Sequence, residues 1–500
     1  MSSKAGLDRP RRPRPLLSST ARLGLAGSVL VASMAVGAGG ILVNDPLLGD
    51  GPLSWIRYGH GHDLATMVLY LGVGMIVWAW IRLGRDVLGG TATVRQVQVA
   101  CAVWTAPILL SPPLFTRDAY SYLGQGALAL RGLDPYQFGP SKLPPGAIAD
   151  NVHYVWQTTP APYGPLFILI AKTINRLVGE DLVLGVIGIR LVLLSGLALV
   201  VYALPRLADQ LGGDRTVALW LVIANPLVIV HLVGGPHNDL LMIGLLAMGT
   251  LLVSVRRHVA GIALVTAAMA VKASAGVALP FLVWIWAAHL PGNRRARLLR
   301  AGAGGMAVFA TIFTGITMLS GVGLGWVPAL NAPSLIVNWM SLPTAAGQLT
   351  HVLTAPFGHL SEGPFIMVCR LLGSGVFLVI LARQWWLARD GGPTAVRCAA
   401  LALLWAALLA PATLPWYLTW ALVLAAASPW PRRSLAWAVA GSTWLVLCTH
   451  PTGESAFTSW PYQLAMVAVA LIAGAALLRP EPLGLPGREQ LSDPVTVAAA

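Results

Sequence analysis

An all-α bundle that crosses a membrane many times is the fold class this sequence predicts, on three observations. Of its 500 residues 56% are hydrophobic and only 10% charged, and the mean hydropathy of +0.71 does not fit a water-soluble surface. Apolar runs recur from Leu23 to Leu478, each suited to a hydrocarbon core that takes about 20 helical residues. None shows the two-residue alternation of a membrane β-barrel.

Taken in order, the runs place spans at 20–43, 63–83, 96–115, 183–204, 217–234, 238–255, 259–273, 274–290, 299–319, 363–383, 396–411, 416–430, 434–449 and 460–478, about fourteen transmembrane helices. The net charge of +14 would suggest nucleic acid until it is mapped onto these spans. With the N-terminus inside, 24 of the 33 Lys and Arg residues are cytoplasmic and six are external: Arg57, Arg117, Arg131, Lys142, Lys172 and Arg176. That is the positive-inside asymmetry, so membrane lipid rather than nucleic acid is the expected partner, in a multi-pass inner membrane protein with both termini cytoplasmic. Eleven carboxylates fall on the external side.

The run Tyr163 to Val178 is apolar enough to span, but counting it would place the Arg294 to Arg300 cluster outside. It is therefore expected as a periplasmic helix, interfacial or re-entrant, within a long external loop from 116 to 182. The first span lacks a small-residue cleavage site and reads as a retained anchor. The chain divides into a disordered cytoplasmic tail (1–19), an N-terminal two-helix addition (20–95), a core with the external loop (96–290), C-terminal helices with a second external loop at 320–362 (291–480), and a disordered tail (481–500). The four cysteines have no CxxC spacing and indicate neither a disulfide framework nor zinc.

Three places carry polar residues that apolar spans do not explain. In "SPPLFTRDAYSYLGQGALALRGLDPYQFGP" a Pro-Pro pair closes the third span. Arg117 and Asp118 follow at the membrane boundary, then an aromatic helix containing Tyr120 that turns near Gly132, beside Arg131. A carboxylate there suits a general base on a sugar hydroxyl; the alternative is that Asp118 is a helix N-cap. In "HLVGGPHNDLL" His237, Asn238 and Asp239 crowd a turn where capping explains one polar side chain but not three. Lys272, in "AAMAVKASAGVALP", is an ammonium in an apolar hairpin, expected to pair with an anion such as a lipid phosphate, or else to snorkel. Trp and Tyr in "TPAPYGP", "VPALNAPSLIVNW" and "PATLPWYLTW" suit sugar stacking, but the membrane interface attracts such rings by itself, and that explanation is preferred for any single one.

In their order, "RDAYSY", "RGLDPY", "TTPAPYGPL", "NPLVIVHLVGGPHNDLLMIGLL" and "VKASA" resemble the GT-C superfamily of membrane glycosyltransferases, in particular the polyprenol-phosphomannose-dependent α-1,6-mannosyltransferases, over roughly residues 20–480. The resemblance implies a GT-C-type bundle with an external active site. It implies an inverting transfer of mannose from a polyprenyl-phosphate-mannose donor to a lipid-linked mannan acceptor, in actinobacterial lipomannan assembly. The catalytic acidic residue of the first large external loop falls on Asp118. Because the leaving group is already a phosphate, one carboxylate base with nearby cations suffices, unlike the paired carboxylates of most glycosidases. Arg117, Arg131, Lys172 and Lys272 are the phosphate candidates, Lys272 preferred, and Tyr120, His237, Asn238 and Asp239 complete the substrate-binding set. No cofactor is indicated, and a divalent metal shared by Asp118 and Asp239 stays open. The rival reading is a transporter or flippase of polyprenyl-phosphate-linked sugars; against it, the polar residues gather on one face rather than at midplane. A silent envelope-assembly subunit is the third.

Overall fold

The computed structural model describes residues 17–479 apart from Ile41, Asn44 and His359. The expected tails therefore lie outside the described residues except at 17–19, where Ser18 caps the first helix and Ser19 opens it. Helix is the only regular secondary structure among the described residues, apart from one isolated bridge between Thr449 and Ser455. Each expected apolar segment falls on a helix or a broken pair of helices. Six are long and apolar enough to cross a membrane alone: Ser19–Ala38, Gly59–Leu88, Leu182–Leu211, Arg294–Ser320, Glu362–Asp390 and Trp460–Leu478. A seventh is added if the bent pair Arg215–Val222 and Leu227–Gly234 is one span. The protein is thus a polytopic membrane protein. The remaining expected spans are shorter helices, among them Asp239–Ser254, His258–Val271 and Gly392–Leu408.

Small residues bring the central helices together. A Cβ on Gly244 would stand 2.3 Å from the Gly196 carbonyl oxygen, and one on Gly261 would stand 2.6 Å from that of Gly249. The Leu182–Leu211, Asp239–Ser254 and His258–Val271 helices therefore pack backbone to backbone, which is how apolar helices associate where no hydrophobic drive distinguishes protein from lipid. Because the last two are antiparallel neighbours of similar length, the start of one, Asp239, meets the end of the other, Lys272. Elsewhere in the core Trp80 and Trp220 stack at 5.4 Å and each indole N–H donates to the other's carbonyl, at 3.0 and 2.9 Å.

Two local features shape the end of the bundle that holds the site. Pro226 lacks an N–H and breaks the pair of helices there by 50°, while the Asn225 carboxamide accepts from Leu227 N–H and donates to Ser442 Oγ at 2.9 Å. The chain continues as a π-helix, Leu227–Gly234, into the Gly-Gly-Pro turn. Arg190 then joins the two motif-bearing loops. Its guanidinium donates to the carbonyls of Val233 (3.1 Å) and Gly234 (2.7 Å) on one side, and to those of Leu109 (3.0 Å), Ser111 and Pro112 (3.3 Å) on the other.

Candidate active site

Arg190 fixes where the "SPP" loop lies against the "GGPHND" turn, and backbone pairing finishes the alignment. Leu114 N–H donates to the Gly234 carbonyl at 3.2 Å and Phe115 N–H to that of Pro451 at 3.1 Å. Phe115 takes a left-handed φ of 60°, and a Cβ on Gly235 would collide with the His231 and Leu114 carbonyl oxygens at 2.6 and 2.8 Å. The chain leaves this crossing into the Asp118–Leu130 helix. Its N-cap is Arg117, with no side-chain cap bond, and Thr116 Oγ1 accepts from Asp118 N–H at 3.0 Å. The capping explanation for Asp118 is thereby removed, and its carboxylate is left for other work.

That carboxylate faces His237. The Nδ1 to Oδ2 distance is 3.4 Å, the outer limit of a hydrogen bond, and the fully buried imidazole has no other polar partner among the described residues. Its ring lies flat on Trp416, centroids 3.5 Å apart and 20° between planes. Burial pushes the Asp118 carboxyl up, but the His237 ring, Lys272 and the Thr116 hydroxyl together outweigh it and hold the group below the ordinary carboxylate range. Asn238 is also fully buried at the helix N-cap, yet neither of its amide atoms has a partner among the described residues, so capping does not account for it either.

Asp239 and Lys272 form the second cluster. The ammonium reaches both carboxylate oxygens, at 2.9 and 2.8 Å, and Trp420 Nε1 donates to Oδ1 at 2.5 Å. Tyr417 and Trp420 stack at 4.3 Å and hold Lys272 Nζ 4.5 and 5.4 Å from their ring centroids. Lys272 is therefore paired with an internal carboxylate, which answers the cost of burying it without a lipid phosphate. With both its oxygens engaged, Asp239 gives no support to a metal shared with Asp118, and no group of three or more metal-ligating side chains occurs among the described residues. Gly164 brings Tyr163 to the same place: its N–H donates to the Val271 carbonyl at 3.2 Å, and a Cβ there would meet the Ala270 backbone at 2.3 Å.

Two cavities meet at Asp118, and Trp156, Ile336, Leu414 and Trp416 line both. One continues past Tyr163 to Lys272 and Tyr417, the other past His153 and Glu454. The "PWYLTW" rings, assigned above to the interface, instead close the site: Trp416, Tyr417 and Trp420 are all buried. The i, i+4 spacing of Trp416 and Trp420, with the proline before Trp416, is the sequence signal that fits one packed face. Trp156 carried no such signal.

Three predicted residues are not brought to Asp118. Arg131 ends the same helix, about 20 Å away at 1.5 Å per residue, in an exposed pair with Glu180 at 2.9 Å. Lys172, on the amphipathic Pro165–Val178 helix, lines neither cavity. Tyr120 points from the other face of its helix into a separate chamber with Arg57 and Arg190; burial pushes its phenol up to about 12 against the pull of Arg117 and Arg190. Arg117 lines both that chamber and the His153 cavity, and donates to the Asn151 carbonyl at 3.3 Å.

Residues 21–288 match the family described as "Alpha-(1->6)-mannopyranosyltransferase, N-terminal domain", more than half of the chain, and residues 343–479 match "MptB C-terminal domain". The chain belongs to the alpha-(1->6)-mannopyranosyltransferase family. It is 44% identical to alpha-(1->6)-mannopyranosyltransferase A of Mycobacterium tuberculosis over 464 residues, covering 92% of this chain and 90% of that one. It is 30% identical to the protein of that name from Corynebacterium glutamicum, over 87% of this chain and 93% of the relative. Alpha-(1->6)-mannopyranosyltransferase B of C. glutamicum is 28% identical, over 82% and 73%. No solved structure matches. The chain is accordingly a glycosyltransferase with transmembrane helices, and the transporter reading falls away.

Proposed function

We propose that the enzyme transfers mannose, with inversion, from a polyprenyl-phosphate-mannose donor to a lipid-linked α-1,6-mannan acceptor on the external face of the membrane. The observation that carries this reading is Asp118: a carboxylate freed from capping, ionised at neutral pH and common to two converging cavities. Two cavities suit two substrates that must meet at one bond. An acceptor hydroxyl attacks the anomeric carbon opposite the phosphate, the carbon–phosphate oxygen bond breaks, and polyprenyl phosphate leaves with the electron pair while Asp118 takes the hydroxyl proton. A carboxylate held below its ordinary pKa is a weak base, which suffices because the leaving group needs no acid. Its charge orients the hydroxyl and its proton transfer comes late.

His237, on this reading, fixes the Asp118 oxygen, and the aromatic walls at Trp156 and Trp416 receive sugar faces. The Asp239–Lys272 pair forms one wall of the donor cavity. Charge supports the external face: Arg85, Arg294 and Arg432 bond at the opposite end of the bundle, and Arg clusters favour the cytoplasmic side. The shorter apolar helices complete fourteen crossings, and the residues divide at 95 and 290 as the sequence suggests. Purified protein given synthetic polyprenyl-phosphate-mannose and a short α-1,6-mannoside is expected to extend it. Transfer from a soluble nucleotide sugar, and none from the lipid donor, would overturn the reading.

A further inference from the structure

Behind Asp118 lies the chamber that Tyr120 faces, and its charge is not balanced. Among the described residues Arg57, Arg117 and Arg190 line it against one carboxylate, Asp45, which pairs with Arg57. Arg190 spends its N–H groups on backbone carbonyls and contributes only its charge. The Arg57 side chain is 5% exposed, and its Nε, like that of Arg117, has no hydrogen-bond partner among the described residues. A buried guanidinium with an unmade bond is costly and marks a place where an acceptor is missing. By contrast, the Lys272 ammonium is matched by Asp239, so the cavity beside it holds no surplus cation.

The rest of the lining is apolar. Leu182, Val186 and Ile187 form one wall, while Leu47 (50% exposed) and Leu110 (81% exposed) stand at the rim. Arginines at the bottom and exposed aliphatic groups at the mouth fit an anion carried on a hydrocarbon chain. Thr116 and Arg117, which directly precede Asp118, line both this chamber and the His153 cavity.

We infer that the chamber bounded by Arg57, Arg117 and Tyr120 is a binding site for the phosphate of a membrane lipid, either the monoester of a polyprenyl donor or the diester of an acceptor's anchor. Arg57 and Arg117 donate to the phosphate oxygens, the Tyr120 hydroxyl adds a third donor, and Arg190 supplies field. The inference rests on the donor class proposed above only for naming the monoester.

Equilibrium binding tests it without requiring transfer. The full-length protein in detergent is titrated with farnesyl phosphate, with farnesol as the phosphate-free control and phosphatidylglycerol as the diester. Arg57→Gln alone would leave Asp45 unpaired, so the informative variant is Asp45→Asn with Arg57→Gln, which removes the guanidinium and its charged donors at constant net charge; Tyr120→Phe removes one hydroxyl. The double variant is expected to lose at least about tenfold in affinity for a phosphate lipid, as for a charged hydrogen bond, with farnesol binding and thermal unfolding unchanged. Tyr120→Phe should lose a few-fold. Loss confined to farnesyl phosphate assigns the chamber to the donor, and loss confined to phosphatidylglycerol assigns it to the acceptor's anchor. Unchanged affinity for both lipids in a folded double variant overturns the inference while leaving the donor class intact. A parent protein that does not distinguish farnesyl phosphate from farnesol overturns the donor class, and with phosphatidylglycerol affinity also unchanged in the double variant it overturns the inference as well.

Discussion

Asp118 and Asp239 sit in one site, each against a basic side chain, and their surroundings give them opposite tasks. Asp239 is fully buried, and its oxygens are engaged by the Lys272 ammonium and the Trp420 indole. Asp118 is 16% exposed, meets its imidazole at 3.4 Å and opens on two cavities. The first is a strut that joins the ends of two helices to the "PWYLTW" segment. The second has capacity left over for a substrate proton. Polar residues in a membrane bundle thus divide by whether their hydrogen-bonding capacity is used up inside the protein, and only an unspent group is a candidate for chemistry.

The largest expected effect follows from the unspent one. Asp118→Asn should lower kcat by about 10²–10⁴-fold, the usual weight of a general base, with donor binding retained. Since Asp118 caps nothing, the stability lost should be limited to what its lowered pKa contributes, and that loss should fade as pH falls through the folded pKa. Turnover within a few-fold of the parent would make the two carboxylates equivalent. The obvious substitutes offer little, because Asp134 spends its oxygens on Tyr136 N–H (2.9 Å) and the Gln137 amide (3.2 Å).

Next comes the strut. Lys272→Met strands a buried carboxylate, and breaking such a pair costs about 3–5 kcal/mol, whereas replacing both partners is far milder. Lys272→Met should therefore unfold at markedly lower temperature, and adding Asp239→Asn should restore most of the loss. A stable single variant would mean that Lys272 is not held as the ion pair suggests.

A smaller effect is expected at the imidazole. His237→Phe keeps the stack on Trp416 but removes what lowers the Asp118 pKa first, leaving the upward push of burial. A depressed folded pKa stabilises the native state above the unfolded value, and that stability is lost as pH falls through the folded pKa. With His237 gone, the acidic limb of kcat/KM should move to higher pH, and the acid-sensitive part of stability should shrink. An unmoved acidic limb would remove His237 from the reading.

Much of this was legible in the sequence because hydropathy and charge act locally. The helices fall where the apolar runs do, and Asp118, His237, Asp239 and Lys272 do converge. Partner choice was not legible. Asp239 and Lys272 lie 33 residues apart, and only the glycine contacts that pack their helices antiparallel bring them together, removing Lys272 from the list of free cations. Trp416 and Trp420 looked like interface rings because composition cannot tell an indole facing lipid from one facing a carboxylate. Nothing in the sequence separates Arg57 from the five other external cations, since its burial depends on Asp45, which no periodicity links to it.

The smallest effect tests the two ends of one helix against each other. Arg131 belongs to the same sequence motif as Asp118 and was a phosphate candidate with it, but the helix axis carries it to the far end, into an exposed pair with Glu180. Exposed pairs contribute about 0.2–1 kcal/mol, and screening by salt lowers that further. Arg131→Gln should accordingly leave kcat and donor KM within a factor of about two, which is about 0.4 kcal/mol. Unfolding should shift slightly, and less at high salt. A large rise in donor KM would place Arg131 on the substrate path and require the segment between Arg131 and Trp156 to close over the His153 cavity when donor binds, drawing the two ends of the motif into one site.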